Sequence, residues 1–423
     1  MLYHNTRHTG HNVALSDAVL SCTAPDQGIY MPDSIREIPK AVINNLPGMN
    51  SVEIGYIVTG TAFDKDIPLQ QINQIVKESI TFPLPLKKLD DKKYIYEMFH
   101  GPTGTCKDLG ARFMSRILHL FAHPGEGKLN VLVASTVDSG LAVAAGFSQL
   151  DDVNVFVLFP HGQLSDNQLN KFAAYDNVYP IAIRGSFDDC RRLVRQLLAD
   201  TELNENFRLT SANSINIARL LPQTIYFFDA YARLIELTGE YHKNVVCAIP
   251  GGNLGCLTAG IIAKRMGLPI SRFISTHNAN DTFVRYLATG KYLPHDTIRT
   301  VSPTLDVSAP ENFERILDLY NNSHTDITND IEGISFSDTE ITDIISRSKS
   351  QYDYFLSSPS STAVGALEKC LRPNEIGIAF ATTAPVLHIA KEKSPNNKKH
   401  HDAVRTTRSA ESLKQLIIQL NSN

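Results

Sequence analysis

From about residue 92 onward, short apolar runs alternate with amphipathic stretches. The runs are 94–98, 130–134, 153–159, 178–183, 245–249, 272–276 and 376–381. Helical periodicity fills most of the gaps between them. Strands alternating with helices predict a parallel α/β sheet with helices on both faces. Ligands of such sheets bind at the carboxyl ends of the strands. The earlier part of the chain has a different rhythm. Residues 13–20 are helix-like, Ala24-Pro25-Asp26-Gln27-Gly28-Ile29-Tyr30-Met31-Pro32 reads as a turn into an extended segment, and 38–45 and 69–79 are amphipathic helices. This first unit carries no recognisable chemistry. At the other end, 393–408 is polar and basic and reads as a solvated linker, with a last helix at 410–420. The expected division is an N-terminal domain over 1–90, an α/β region of two lobes over 91–392, and a linker with a C-terminal helix over 393–423.

The stretch His100-Gly101-Pro102-Thr103-Gly104-Thr105-Cys106-Lys107-Asp108 follows the first apolar run of the alternating region. Its glycines and proline cannot continue a strand. A helix follows, with Leu109, Phe113, Ile117 and Leu120–Phe121 on one face. Lys107 therefore stands at a strand-to-helix junction, where the positive end of the helix dipole and burial work against an ammonium. A lysine kept partly neutral is a nucleophile that can hold a carbonyl cofactor as a Schiff base. An ordinary exposed lysine at a helix start would read the same in isolation. The segment is not a phosphate-binding P-loop: Cys106 replaces the required glycine and Asp108 the required hydroxyl.

Three other junctions fall at predicted strand ends. Ser135, Thr136, Val137, Asp138 and Ser139 lead into the helix at 141–149. Hydroxyls and amides there suit a carboxylate or phosphate, and they equally suit a plain helix cap. In Ser211–Arg219, Asn213 or Ser214 can cap a helix that sets Asn216 and Arg219 three apart, with Gln223 four further on. Arg219 is a fork for an anion, or one member of a polar surface stripe. In Gly251-Gly252-Asn253-Leu254-Gly255 three glycines let successive amides converge at the start of the helix 257–266. This is not the dinucleotide pattern Gly-x-Gly-x-x-Gly, and no matching acidic residue for a ribose follows. Thr382, after the last strand, is either a helix cap or a hydroxyl offered to a ligand.

Composition narrows the classes. A chain of 423 residues is long for one core. Its net charge of −4 argues against nucleic acid or an anionic membrane surface. No apolar run is long enough to span a bilayer and no signal-peptide core is present, so a cytoplasmic protein is expected. The six cysteines show no Cys-x-x-Cys pair and read as reduced, buried thiols. The fourteen histidines form no metal-binding spacing, so no metal is expected.

Gly-Pro-Thr followed by Lys-Asp-x-Gly-x-Arg-Phe-Met, over 101–114, resembles the cofactor-lysine segment of threonine synthases. Further segments resemble that family in the same order. They are Pro-Asp-x-Gly-x-Tyr-x-Pro (25–32), Asn-Ser-Ile-Asn-x-x-Arg-x-x-x-Gln (213–223) with the aromatic run Tyr226-Phe227-Phe228, Pro-Gly-Gly-Asn-Leu-Gly (250–255), Asn-x-Asn-Asp (278–281) and Leu-Asp-Val-Ser (305–308). The resemblance implies a fold type II pyridoxal-phosphate architecture, with two parallel-sheet lobes and an N-terminal domain. It implies pyridoxal 5'-phosphate held by Lys107, with its phosphate on Gly251, Gly252, Asn253, Leu254 and Gly255, its pyridine nitrogen at Thr382, and Asp138 also on the cofactor. Ser135, Thr136, Ser139, Asn216 and Arg219 would bind substrate. The implied reaction converts O-phospho-L-homoserine and water to L-threonine and phosphate. Departures cluster in the substrate-facing loops: Val137 and Gly251 replace a glycine and a serine, Ser358–Ser361 lacks an acid and a histidine, and Ala384 replaces a histidine. They leave as alternatives a phospho-lyase or dehydratase for another hydroxy-amino acid, or a non-catalytic cofactor-binding relative. The oligomeric state stays open.

Overall fold

The computed structural model describes residues 1–63, 65–122, 127–135, 138–148, 150–164, 166–172, 174–385, 404–406 and 409–421. They form two compact units. The first contains Asp33–Leu109 and Leu220–Lys391, together with Met1; the second contains Leu2–Pro32, Gly110–Arg219 and Glu392–Asn423. The first 90 residues are thus shared between the units.

The first unit is built on a six-stranded sheet. In spatial order its strands are Ile331–Ser335, Ile270–His277, Val245–Pro250, Ile376–Ala381, Lys93–Glu97 and Leu86–Lys88. All neighbours are parallel except Leu86–Lys88, a short antiparallel edge. Ile376–Ala381 lies between strands far from it in sequence, with Ile378 paired to both Tyr94 and Cys247. This register brings the ends at Glu97, Pro250, His277 and Ala381 to one edge. Helix Ser358–Cys370 packs its alanine-rich face on the sheet with Ile95, Val246, Ala248, Ile274 and Ala379.

The second unit carries a five-stranded parallel sheet in the order Val404–Thr406, Val178–Ile183, Val153–Pro160, Leu129–Ala134 and Leu209–Ser211. Leu129–Ala134 and Val153–Pro160 are buried along their whole length, which is why they read as continuous apolar runs rather than alternating ones. Helices Phe187–Leu198 and Ala410–Asn421 cover the sheet through Leu193, Val194, Leu197, Leu413 and Ile417. A separate antiparallel pair joins Tyr3–Asn5 to Tyr30–Pro32.

All seven predicted strands are present. Two have the predicted limits, Val178–Ile183 and Ile376–Ala381; Ile270–His277 is extended at both ends. The expected solvated linker needs correction within its described part. Val404–Thr406, inside 393–408, is a strand paired with Ile181–Ile183. Helix Ser51–Phe63 was not legible from periodicity. It has no polar stripe, and Gly55 admits Val76 and Ile80 where a Cβ would lie at 2.8–2.9 Å.

Candidate functional site

In the first unit, the turn between Glu97 and Lys107 is folded onto the end of Ile376–Ala381. Met98 N donates to Ala381 O at 3.0 Å, Cys106 N to Thr382 O at 2.7 Å, and Ala384 N to Gly104 O at 2.9 Å. Thr105 and Thr383 form an antiparallel bridge. Cys106 and Thr382, 276 positions apart in sequence, are thereby paired at the sheet's carboxyl edge, next to Lys107. From the other side the buried Tyr226 hydroxyl donates to Cys106 O at 2.8 Å. This accounts for one member of the aromatic run after the Asn-Ser-Ile-Asn segment.

Asp108 holds the turn from within. Its carboxylate is buried and accepts from Thr103 N at 2.9 Å and from Thr103 Oγ1 at 2.7 Å. A Cβ on Gly101 would lie 2.5 Å from Asp108 Oδ2, so the glycine is needed for this close approach. The aspartate that excludes a P-loop thus shapes the turn itself. Lys107 is the first residue of helix Lys107–Phe121 and is half-buried. Leu109, Phe113 and Ile117 are buried along that helix as its spacing predicts.

The glycine loop lies at the same edge. Gly251 N donates to Thr276 O at 2.7 Å and Leu254 N to Gly251 O at 2.8 Å. Two of the five amides expected on an anion are therefore used inside the protein, which corrects the even sharing read from the sequence. Gly252 and Gly255 amides have no acceptor among the described residues, and Gly255 opens helix Gly255–Arg265. Gly252 is left-handed, with φ 47°, and Leu254 is left-handed at 58°. Asn253 anchors the loop: its Oδ1 accepts from Glu311 N at 2.7 Å and its carbonyl from Asn312 Nδ2 at 2.8 Å.

His277, which the sequence reading did not single out, explains Gly251. A Cβ on residue 251 would lie 2.3 Å from His277 Cε1. The ring is buried, its Nε2 is 2.8 Å from Ser275 Oγ, and burial pushes it down to about 4, so it is neutral. The only signal in the sequence was a serine replaced by glycine, and nothing linked it to a residue 26 positions away. Ala384 sits in the core and packs beside Gly104, with 3.6 Å between its Cβ and one built there. In Ser358–Cys370, Ser360, Ser361 and Thr362 are buried; Thr362 Oγ1 is 2.6 Å from Thr276 Oγ1.

Glu97, at the end of its strand, is buried yet ionised. Burial pushes its carboxyl up, but hydrogen bonds from His100, Tyr354 and Lys87 outweigh this and hold it at about 2.

The second unit holds the remaining candidates. Ser135 Oγ accepts from Gly140 N at 2.6 Å, so this hydroxyl caps helix Asp138–Phe147. Asp138 and Ser139 are half-buried in its first turn. Thr136 and Val137 lie outside the described residues. Asn213 spans the end of Leu129–Ala134, accepting from Ala134 N at 2.9 Å and donating to Ala134 O at 2.8 Å. Asn216 needs correction. It is fully buried, donates to Val19 O at 2.8 Å and caps the following turn by accepting from Ala218 N at 3.1 Å. The helix starts only at Ile217, after the capping Asn216, so Asn216 and Arg219 do not share a helix face. Arg219 is buried, and its Nη1 donates to Ala212 O.

The arrangement offers a lysine at a helix start, a threonine paired with the residue before it, and a glycine loop, along one sheet edge. Comparison with known proteins identifies the family. Residues 80–381 match the family of pyridoxal-phosphate dependent enzymes, and residues 2–80 match the threonine synthase N terminus. The chain is 39% identical over 386 residues to the threonine synthase of Haemophilus influenzae, covering 91% of this chain and 89% of that one. It is 34% identical to the threonine synthase of Escherichia coli, again covering 91% and 89%. The crystal structure of the Escherichia coli threonine synthase superimposes with a TM-score of 0.90, at 31% identity over 99% of this chain and 100% of that one. A pyridoxal-phosphate-bound threonine synthase from Brucella melitensis gives 0.87, at 26% identity and full coverage of both chains. The two family matches and the similarity over nine-tenths of the length make this chain a member of the threonine synthase family of pyridoxal-phosphate-dependent enzymes.

Proposed function

We propose that this protein is a threonine synthase, converting O-phospho-L-homoserine and water to L-threonine and phosphate with pyridoxal 5'-phosphate as cofactor. The observation that carries the reading is the first unit's sheet edge, where the Lys107 turn is stitched to Thr382 beside the glycine loop. The residues fit the cofactor: the Gly252 and Gly255 amides, in the loop that opens a helix, lack acceptors among the described residues, and Gly252 keeps open a space a side chain would fill, with a built Cβ 3.2 Å from Thr304 O.

Lys107 would hold the cofactor's carbonyl carbon, Gly252 and Gly255 amides would take its phosphate, and Thr382 would donate to its pyridine nitrogen. When bound, the cofactor supplies an electron sink for the carbanion at the substrate's Cα. The Lys107 amine would then be the group that moves protons at Cα and Cβ. The turn held by Asp108 sets the backbone that leads into Lys107, and Glu97 holds His100 at the turn's start. In the second unit, Arg219 is the candidate for the substrate's phosphate, and Asp138 and Ser139 stay as polar candidates. Asn216 and Ser135 enter as positioning residues, since their side chains cap the chain locally.

The test is incubation of purified protein with phosphohomoserine, assaying phosphate and threonine separately. Equal release of both is expected. Phosphate with a 2-oxo acid would mean a lyase that does not complete water addition, and neither product would mean a binding protein.

A further inference from the structure

The segment 291–312 has no role in the reading above, nor do the Asn-x-Asn-Asp and Leu-Asp-Val-Ser motifs. The structure joins all three. Asn278 Nδ2 donates to Thr300 Oγ1 and to Asp306 Oδ1, each at 2.7 Å. Asn280 clasps Ile298, donating to its carbonyl at 2.8 Å and accepting from its amide at 2.8 Å. Ser308 Oγ accepts from His295 N at 3.0 Å. These bonds tie the segment as a strap to the end of Ile270–His277. Asn253 ties it to the glycine loop through Glu311 and Asn312.

The strap crosses the glycine loop at Pro303–Leu305. Thr304 O lies 3.2 Å from the position of a Cβ on Gly252, and Leu305 Cδ2 lies 3.9 Å from it. Here two hydroxyls are left over. Among the described residues, Ser302 Oγ and Thr304 Oγ1 are shielded from solvent and have no hydrogen-bond partner, although the neighbouring polar groups Asn278, Thr300 and Asp306 are all satisfied. A buried hydroxyl without a partner is costly, and in a native structure it marks a place for a water, an ion or a ligand. Beside this spot, residue 251 offers no hydroxyl, because the His277 ring fills the place a side chain there would take.

We infer that the strap completes the anion cradle, the Ser302 and Thr304 hydroxyls donating to the phosphate held by the Gly252 and Gly255 amides. They replace the donor absent at Gly251. The two motifs then have one task, holding the strap over the loop. This rests on the cofactor reading above.

The test titrates the apoprotein with pyridoxal 5'-phosphate and, separately, with pyridoxal, which lacks the phosphate. Thr304→Val and Ser302→Ala are each expected to weaken pyridoxal 5'-phosphate binding by about 10-fold, the usual scale for a hydrogen bond to a charged group, and to leave pyridoxal affinity unchanged. Thr304→Ser keeps the hydroxyl and should bind both ligands like the wild type. Unchanged phosphate-dependent affinity in both deletion variants overturns the inference, as does an equal loss for the two ligands, which marks a purely structural role. If the wild type itself fails to prefer pyridoxal 5'-phosphate over pyridoxal, the glycine loop is not the phosphate site and the cofactor reading falls with it.

Discussion

Replacing Gly251 with serine restores the residue common in the family, yet it should damage this protein. The new Cβ would sit 2.3 Å from His277 Cε1 and 2.6 Å from Nε2, whereas real Cβ atoms essentially never come closer than 3.0 Å. The ring would have to retreat by about 0.7 Å. It cannot do so freely, being buried and anchored to Ser275 Oγ at 2.8 Å. Overpacking of this kind costs about 1–3 kcal/mol, and loss of the Ser275 bond adds about 0.5–1.5 kcal/mol. The total, about 2–4 kcal/mol, appears as a lower melting temperature, weaker cofactor binding, or a division between them. If it fell wholly on the loop, cofactor affinity would drop roughly 30- to 1,000-fold. The assay is cofactor titration by absorbance with parallel melting of the apoprotein, for wild type, Gly251→Ser, His277→Ala and the double variant. His277→Ala opens the space the serine needs, so the double variant should bind the cofactor at least about 10-fold tighter than Gly251→Ser, a favourable coupling in the double-mutant cycle. A Gly251→Ser protein equal to wild type in both measurements, or a double variant no better than the single one, would refute the argument.

Asp108→Asn removes the charge that accepts both Thr103 donors; it should cost about 1–3 kcal/mol and slow cofactor loading, and unchanged melting and loading would remove Asp108 from its role. Thr382→Val should shift the cofactor's absorption spectrum and weaken its binding by about 1–3 kcal/mol, with Thr382→Ser mild; if only Thr383→Val has these effects, the wrong threonine was chosen. Stability should fall in two acid steps. His277 is held near 4 by burial, below its ordinary 6.5. Its unfolded form takes up a proton first, so stability is full above 6.5 and lost as pH falls from 6.5 towards 4. Glu97 is held near 2, so its contribution is present above 4.5 and lost as pH falls towards 2. Melting across pH should show His277→Gln flattening the upper step and Glu97→Gln the lower one.

The sheet strands and the Lys107 turn were legible because both write themselves locally. A strand buried on both faces, such as Val153–Pro160, is an unbroken apolar run. A turn into a helix needs glycine and proline and then apolar residues at helical spacing, as 101–117 shows. Short edge strands left no such mark: Leu209–Ser211 and Val404–Thr406 each have three residues, too few for a pattern, and exist because a longer neighbour offers its open edge. Asn216 misled for a related reason. An asparagine near an arginine reads as a ligand pair, but the helix begins only after Asn216, and the Val19 carbonyl takes the side chain.

What chain order could not contain is the meeting of distant ends. Ile376–Ala381 inserts between Val245–Pro250 and Lys93–Glu97, and only that insertion places Thr382 against Cys106. The Gly251–His277 pairing and the strap over Gly252 arise in the same way, from side chains and carbonyls of separate segments competing for one volume. Residue type and local spacing decide which chemistry each loop can offer. Which groups become neighbours depends on sheet order and close packing, and those are settled only when the whole core closes.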